Sequence, residues 1–175
     1  MGKCSALTTV KLTDFRKLPH NVRNFIAEQG AAILATNSKI SHLDLESFSW
    51  RSDKGEGTVV LSALANSNSL PTLTHLKVST NESWFSKGKE TNVDLLCDAI
   101  RAMTSLEYLD LGCNIFSTEG SDKVFNAIKA NRELNPNLVD IDLFEAGGSG
   151  NFYFSSSSRE CIEAMIAQGL TIAVT

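Results

Sequence analysis

Residues 106–131 read LEYLDLGCNIFSTEGSDKVFNAIKAN, and this stretch decides the fold of the chain. Its first half contains the spacing LxxLxL, beginning at Leu106, in which the central residues alternate as they do along a short strand. Its second half changes period, because Val124, Phe125 and Ile128 recur at the spacing of one helix face. The stretch therefore predicts a strand, a loop and an amphipathic helix.

The same spacing recurs along the whole chain. Allowing Ile or Val, LxxLxL occurs at Leu7-Val10-Leu12, Ile40-Leu43-Leu45, Leu73-Leu76-Val78, Leu106-Leu109-Leu111 and Leu138-Ile141-Leu143. The first members of these matches follow one another at an almost constant step, and one more such step reaches Leu170. One match is common by chance, whereas five in register indicate an internal repeat with a period of about 33 residues.

Each repeat is too small to bury both its strand and its helix. The linker before the fourth strand has Val93, Leu96, Ile100 and Met103 at helical spacing, so a helix follows each strand. Stacked units bury both elements in a continuous core, which predicts one repeat domain over residues 1–175. Its units start near residues 7, 40, 73, 106 and 138, with a final strand near residue 170. Neither end has a polar capping unit, which favours a piece of a longer protein.

These features resemble the leucine-rich-repeat family, in particular its long, ribonuclease-inhibitor-like class. Residues 106–131 carry the family pattern LxxLxLxxN, followed by the apolar Ile115, by Gly120 and by a helix that ends in Asn131. The resemblance covers essentially the whole chain and is weakest in the first and last units. It implies an α/β solenoid that is curved, with a parallel sheet on the concave side and the helices on the convex side.

The ninth position of the pattern departs from the family in three units. The family usually has an asparagine there, whose amide ties neighbouring turns together. The residues at this position are Phe15, Phe48, Asn81, Asn114 and Ala146. Units without the asparagine need another way to satisfy the backbone of the turn. Asn81 also opens an Asn-Glu-Ser sequon, and we expect this asparagine to face inward.

Composition and charge exclude several classes of function. A net charge of −4 and a pI near 5.4 argue against sequence-independent binding to nucleic acid, which needs a cationic face. The longest apolar run is far shorter than the ~20 residues of a membrane span. Four scattered cysteines fit neither a metal motif nor a disulfide framework, which predicts reduced thiols in a cytoplasmic protein. We expect Cys97 and Cys161 to be small buried side chains on helices.

Side chains that alternate with the apolar strand positions point out of the concave sheet and form rows across it. The two inner rows are Lys11, Asp44, Lys77, Asp110 and Asp142, and Thr9, His42, His75, Tyr108 and Asp140. The outer rows are Thr8, Ser41, Thr74, Glu107 and Val139, and Thr13, Glu46, Ser79, Gly112 and Phe144.

Two interpretations of these rows are open. Alternating Lys and Asp on adjacent strands can simply relieve like-charge repulsion. Alternatively, the C-terminal half is an acidic patch that binds a basic protein surface, with Tyr108 and Phe144 as aromatic anchors. The predicted partner-binding residues are His42, Asp44, His75, Lys77, Glu107, Tyr108, Asp110, Asp140, Asp142 and Phe144.

Catalytic and metal-dependent interpretations are less favoured. His42 and His75 lie beside Asp44 in the rows, but zinc needs three or four converging ligands that a flat sheet rarely supplies. A hydrolase would use Ser41 or Ser79 as the nucleophile, and a triad needs a pocket that excludes water. The sequence therefore predicts no catalytic residue, no metal ion and no cofactor. A deep pocket around the two histidines would favour chemistry, and a broad open face would favour protein binding.

Three aromatic or glycine-rich features lie in the predicted loops. Residues 145–151 read EAGGSGN and lack the lysine of a phosphate-binding loop, so they are a strand-to-helix loop. Residues 152–154 read FYF and either close the core or form a contact at the rim. Trp50 and Trp84 fall in equivalent loops, where they either stack on each other or form a binding ridge.

The favoured function is a protein-interaction module that uses the concave face and the adjoining loops. The resemblance also implies an alternative, because solenoids of this class occur in GTPase-activating proteins of the Ran type. That alternative is a regulator of a GTPase or ubiquitin-type pathway, including a bacterial effector acting in a host cell. Fold-level analogy alone supports it.

Overall fold

The computed structural model describes residues 7–48, 54–86, 88–143 and 155–173. Strands and helices alternate along this part of the chain, with a short helix, α3, before α4. The strands are β1 (Thr9–Lys11), β2 (His42–Asp44), β3 (His75–Lys77), β4 (Tyr108–Asp110), β5 (Asp140–Asp142) and β6 (Thr171–Ala173). The helices are α1 (His20–Thr36), α2 (Glu56–Ala65), α3 (Glu82–Phe85), α4 (Glu90–Ala102), α5 (Thr118–Leu134) and α6 (Ser156–Ala167). Phe15–Lys17 and Leu70–Thr72 are 3₁₀ turns.

The six strands form one parallel sheet in chain order, β1-β2-β3-β4-β5-β6. Their register follows the sequence repeat, so that the middle residue of each strand pairs with the middle residue of the next. These middle residues are Val10, Leu43, Leu76, Leu109, Ile141 and Ile172. The predicted α/β class and the predicted strand positions are therefore confirmed.

The core lies between the sheet and the helices. The middle residues of β1 to β5 are buried, while most of the residues beside them face outward. The long helices of successive units pack together: α1 on α2, α2 on α4, α4 on α5, and α5 on α6. In α4 the buried Val93, Leu96 and Ile100 recur at helical spacing. No described helix has the length and apolar character needed to cross a membrane.

The turn after each of the first four strands contains a residue in the left-handed region. Asp14, Ser47, Thr80 and Cys113 have φ of 62°, 56°, 60° and 56°. Their spacing equals the period of the LxxLxL matches, so the strained turn repeats with the sequence. Backbone bonds join these turns across units, including Thr80 N–H to the carbonyl of Gly112 at 2.9 Å. Residue type signals only the first of these turns, because Asp14 is of a type enriched at positive φ, whereas Ser47, Thr80 and Cys113 are not.

Asparagines hold two neighbouring turns together. Asn81 and Asn114 are buried, and the Oδ1 of Asn114 accepts the Asn81 backbone N–H at 2.8 Å. Asn81 donates its amide to the carbonyl of Leu45 at 2.7 Å, and Asn114 donates to that of Val78 at 3.0 Å. The prediction that Asn81 faces inward is confirmed, so its sequon lies on a buried side chain.

Phenylalanines occupy the asparagine position in the first two units, and their rings begin a row that continues through the next two units. Phe15 packs edge-on against Phe48 with ring centroids 5.3 Å apart, and Phe48 lies 5.6 Å from Trp84. Trp84 continues to Phe85, which stacks on Phe116 at 4.7 Å. We call these five residues the aromatic row. Because Trp84 is fully buried, the interpretation of Trp84 as part of a binding ridge is wrong.

Short polar side chains satisfy the backbone at the opposite end of the helices. Ser67 donates to the carbonyl of Leu34 at 2.8 Å. Asn131 likewise donates its amide to the carbonyls of Ile100 and Met103, at 2.6 and 2.9 Å. These bonds link each unit to the next, so polar groups that would be orphaned at the helix ends find partners.

A buried ion pair joins the first two helices. The Nε of Arg23 lies 3.2 Å from Oε1 of Glu56, and the two side chains are 7% and 0% exposed. Oε2 of Glu56 accepts the Lys54 N–H at 2.6 Å, and Arg23 also donates to the carbonyl of Leu18. His20 contacts both charged side chains.

The cysteine predictions have a mixed outcome. Cys97 is buried on α4, and burial raises the pKa of its thiol to about 11, as expected of a small core side chain. Cys161 on α6 is only partly buried but packs against the core, so the expectation is met in part for that residue. Trp50 and residues 144–154 lie outside the described residues. The second range includes Ala146 and the glycine-rich and FYF stretches.

Candidate functional site

The side chains that alternate with the buried strand residues form an open sheet face. We use this name for the outward residues of the six strands. They are Thr9, Lys11, His42, Asp44, His75, Lys77, Tyr108, Asp110, Asp140, Asp142, Thr171 and Ala173. The pairing of the strands places them in the two inner rows that the repeat predicts, with His42 beside His75 and Lys77 beside Asp110.

Three rings stack along one row of the open sheet face. The imidazoles of His42 and His75 are 4.3 Å apart between centroids and only 14° from parallel. The ring of Tyr108 continues the row at 5.9 Å from His75 with an interplanar angle of 32°. The stack follows from the register, since equivalent positions on neighbouring parallel strands lie about 4.8 Å apart.

Hydroxyl groups orient both imidazoles. Ser41 Oγ donates to the carbonyl of Thr8 at 3.2 Å, and Thr74 Oγ1 donates to that of Ser41 at 3.0 Å. Each hydroxyl also lies 2.9 Å from Nδ1 of the adjacent histidine, in a contact whose donor depends on the tautomer of the ring. When the hydroxyl accepts this bond, the neutral imidazole has its proton on Nδ1 and a lone pair on Nε2.

Lys77 is held between two carboxylates. Its Nζ lies 3.6 Å from Glu46 Oε2 and 3.6 Å from Asp110 Oδ2. Burial lowers the pKa of Lys77, but Asp110, Glu46 and other nearby groups outweigh it and raise the pKa above its ordinary value. The charge of Lys77 is thus largely balanced within the sheet, which agrees with the interpretation that this row relieves repulsion.

Asp110 is buried, and both of its carboxylate oxygens accept hydrogen bonds from within the chain. Its Oδ2 accepts from Ser79 Oγ at 2.9 Å, and its Oδ1 accepts from the Gly112 N–H at 3.0 Å. Burial raises the pKa of the Asp110 carboxyl, the bonds from Gly112 and Ser79 oppose this, and Asp142 adds to the rise. With a side chain only 9% exposed, Asp110 contributes charge to the face more than contact area.

We expect Asp110→Asn to change how stability depends on pH. Because the folded-state pKa of Asp110 lies above its ordinary value of 3.8, the folded state binds more protons between the two values. The stabilising contribution of protonated Asp110 is complete below 3.8 and is lost as pH rises through the raised value. The free energy of unfolding of Asp110→Asn relative to the wild type should therefore be higher at pH 7 than at pH 4.

Urea unfolding of both proteins at the two pH values measures this difference. Asp98→Asn is the control, because Asp98 is an exposed helix residue. A relative stability of Asp110→Asn that is lower at pH 7 than at pH 4 would contradict the direction of the shift.

Acidic residues concentrate on β5 and just before β4, toward the C-terminal end of the open sheet face. Glu107 is exposed, and Tyr108, Asp140 and Asp142 are half-buried. Burial raises the pKa of Tyr108, and the carboxylates of Asp110, Asp142 and Asp140 raise it further against an opposing effect of Lys77. The phenol is therefore neutral at pH 7. We call Glu107, Tyr108, Asp140 and Asp142 the acidic patch. Phe144, the second predicted anchor, lies outside the described residues.

The serines considered as nucleophiles make other contacts. The proton of Ser79 is directed to Asp110, and that of Ser41 to a backbone carbonyl. Asp44 Oδ1 accepts from the Glu46 N–H at 3.1 Å. Among the described residues, no group of three or more His, Cys, Asp or Glu side chains is arranged to hold a metal ion.

Two cavities that are lined by described residues lie among the helices, away from His42 and His75. One of about 370 Å³ lies between α5 and α6, beside Cys161 and Met165. The second is far smaller and lies near Phe85 and Lys123. Neither has a role in the proposed binding surface.

Comparisons with known proteins identify no relative, since a scan against models of protein families gives no match and searches of the curated proteins and of the solved structures give no significant one.

Proposed function

We propose that the chain is a leucine-rich-repeat solenoid of the ribonuclease-inhibitor-like class, and that it binds another protein through the open sheet face. The regular period of the sequence supports the first part, since the same strand pairing and the same left-handed turn recur with it. A sheet covered by helices on one face and open on the other supports the second part.

The observation that carries the proposal is the continuity of the ring stack with the acidic patch. The stack of His42, His75 and Tyr108 ends beside Asp140, which pairs with Tyr108 in the register. An aromatic anchor next to several carboxylates suits a partner surface with Arg or Lys side chains, which can contact the ring and the charges together. The positive charge of Lys77 does not strongly repel such a partner, because two neighbouring carboxylates balance it.

The test compares proteins captured from a cell lysate by the immobilised wild-type chain and by two variants. The site variant is Glu107→Lys/Tyr108→Ala/Asp140→Lys, which reverses the charge of the acidic patch and spares the buried Asp110. The control variant is Phe25→Ala/Glu28→Lys/Asp98→Lys, which makes the same types of change at exposed helix positions. Thermal unfolding checks that both variants fold.

We expect a specific partner to be reduced at least tenfold by the site variant and retained by the control. Its capture should also weaken as salt rises, because exposed charges are screened over about 10 Å at 0.1 M salt. A partner that both variants retain equally would contradict the choice of surface.

A further inference from the structure

We propose that His42 and His75 form a two-ligand binding site for a divalent transition-metal ion of the copper or nickel type. This inference goes beyond the proposed function and does not depend on it. It rests on the adjacent position of the two imidazoles and on the contacts of their Nδ1 atoms with neighbouring hydroxyls, which leave both Nε2 atoms for a ligand.

The two imidazoles present equivalent nitrogen atoms side by side. Their Nδ1 atoms are engaged by Ser41 and Thr74. Within the described part of the chain, neither Nε2 has a hydrogen-bond partner. The two rings are 4.3 Å apart and nearly parallel, so their Nε2 atoms are neighbours on the open sheet face. Their lone pairs lie in the ring planes and converge on one ion only when the rings tilt toward each other.

Hydroxyl contacts prepare both rings for a metal ion. Ligating histidines usually donate their second ring N–H to a protein acceptor, which orients the ring and raises the basicity of the ligating nitrogen. The hydroxyls of Ser41 and Thr74 lie where they can serve as that acceptor. In the tautomer that has the proton on Nδ1, Nε2 can bind a metal ion without first losing a proton.

The number of ligands decides between metals. Zinc sites in proteins need three or four protein ligands, which the described residues do not supply. Cu²⁺ and Ni²⁺ bind imidazole nitrogen in tetragonal geometry and have higher affinity for such sites than the earlier divalent ions of the series. Two adjacent positions can be occupied by Nε2 atoms and the rest by water. Bond lengths of about 2.0 Å then require both rings to tilt out of their parallel stack, so that the two ring planes meet at the ion.

Retention of the untagged chain on immobilised Ni²⁺ tests the proposal. The wild type should be retained and eluted by imidazole, while His42→Gln and His75→Gln should each lose nearly all of the retention. Loss from either single substitution is the signature of a chelate, since one remaining imidazole binds far more weakly than two. The matched control is His20→Gln, which removes the third histidine of the chain, on α1.

Calorimetry with CuCl₂ or NiCl₂ then gives stoichiometry and affinity. We expect one ion per chain, with affinity at least tenfold weaker in each single variant and unchanged in His20→Gln. Electron paramagnetic resonance of the Cu²⁺ form should show two equivalent nitrogen ligands. Retention that survives the substitution of both His42 and His75, or that His20→Gln abolishes, would overturn the proposal. These assays measure metal binding by the chain alone and do not involve a protein partner. Their outcome is therefore independent of whether the proposed function is correct.

Discussion

Replacing Arg23 by Met is expected to lower the free energy of unfolding by about 3–5 kcal/mol, because it removes the cation that faces a fully buried carboxylate. The Met side chain fills much of the same space, so the loss is mainly electrostatic. The Lys54 N–H and the His20 ring still contact Glu56 in the variant, but neither supplies the permanent charge and the fork of donors of a guanidinium. Urea unfolding followed by circular dichroism measures the change.

Two further variants distinguish the effect of the Glu56 charge on stability from the effect of packing. Arg101→Met removes an exposed arginine whose partner is Asp98, and we expect it to cost no more than about 0.5 kcal/mol. Arg23→Met/Glu56→Gln neutralises the buried acid and keeps an acceptor for the Lys54 N–H. It should be more stable than Arg23→Met alone. Equal stability of the double and single variants would show that packing, rather than the loss of the Arg23 charge beside Glu56, is responsible.

Replacing Trp84 by Ala is expected to lower the free energy of unfolding by about 3–5 kcal/mol, because it empties the middle of the aromatic row. The indole is fully buried and lies between Phe48 and Phe85. Its Nε1 has no hydrogen-bond partner among the described residues, so the loss comes from apolar contacts and from the cavity. Phe25→Ala is the control, since Phe25 is 61% exposed and its loss should cost little.

A double-mutant cycle with Gly57 tests the same packing from the other side. A Cβ on Gly57 would lie 2.7, 2.8 and 2.9 Å from three ring atoms of Trp84. We expect Gly57→Ala to cost about 1–3 kcal/mol in the wild type and almost nothing in the Trp84→Ala background. Equal costs in the two backgrounds would show that the indole does not confine Gly57.

Contacts between residues one repeat apart follow from the period of the sequence. Arg23 and Glu56 are separated by one full repeat, and so are Asn81 and Asn114. In a stacked repeat, residues one period apart are neighbours, so an Arg and a Glu at that separation form a candidate pair. The LxxLxL pattern marks only the strands, so it does not by itself indicate the buried ion pair between the helices.

By itself, the sequence determined the strand positions, the parallel order and the rows of the open sheet face. A regular period with alternating apolar positions allows one register only, because a shift by one residue would turn the leucines outward. Only the tertiary structure decided that Trp84 and Asp110 are buried, and that hydroxyls orient His42 and His75. These outcomes depend on side chains that meet across units and on the depth of each turn, which local spacing does not encode.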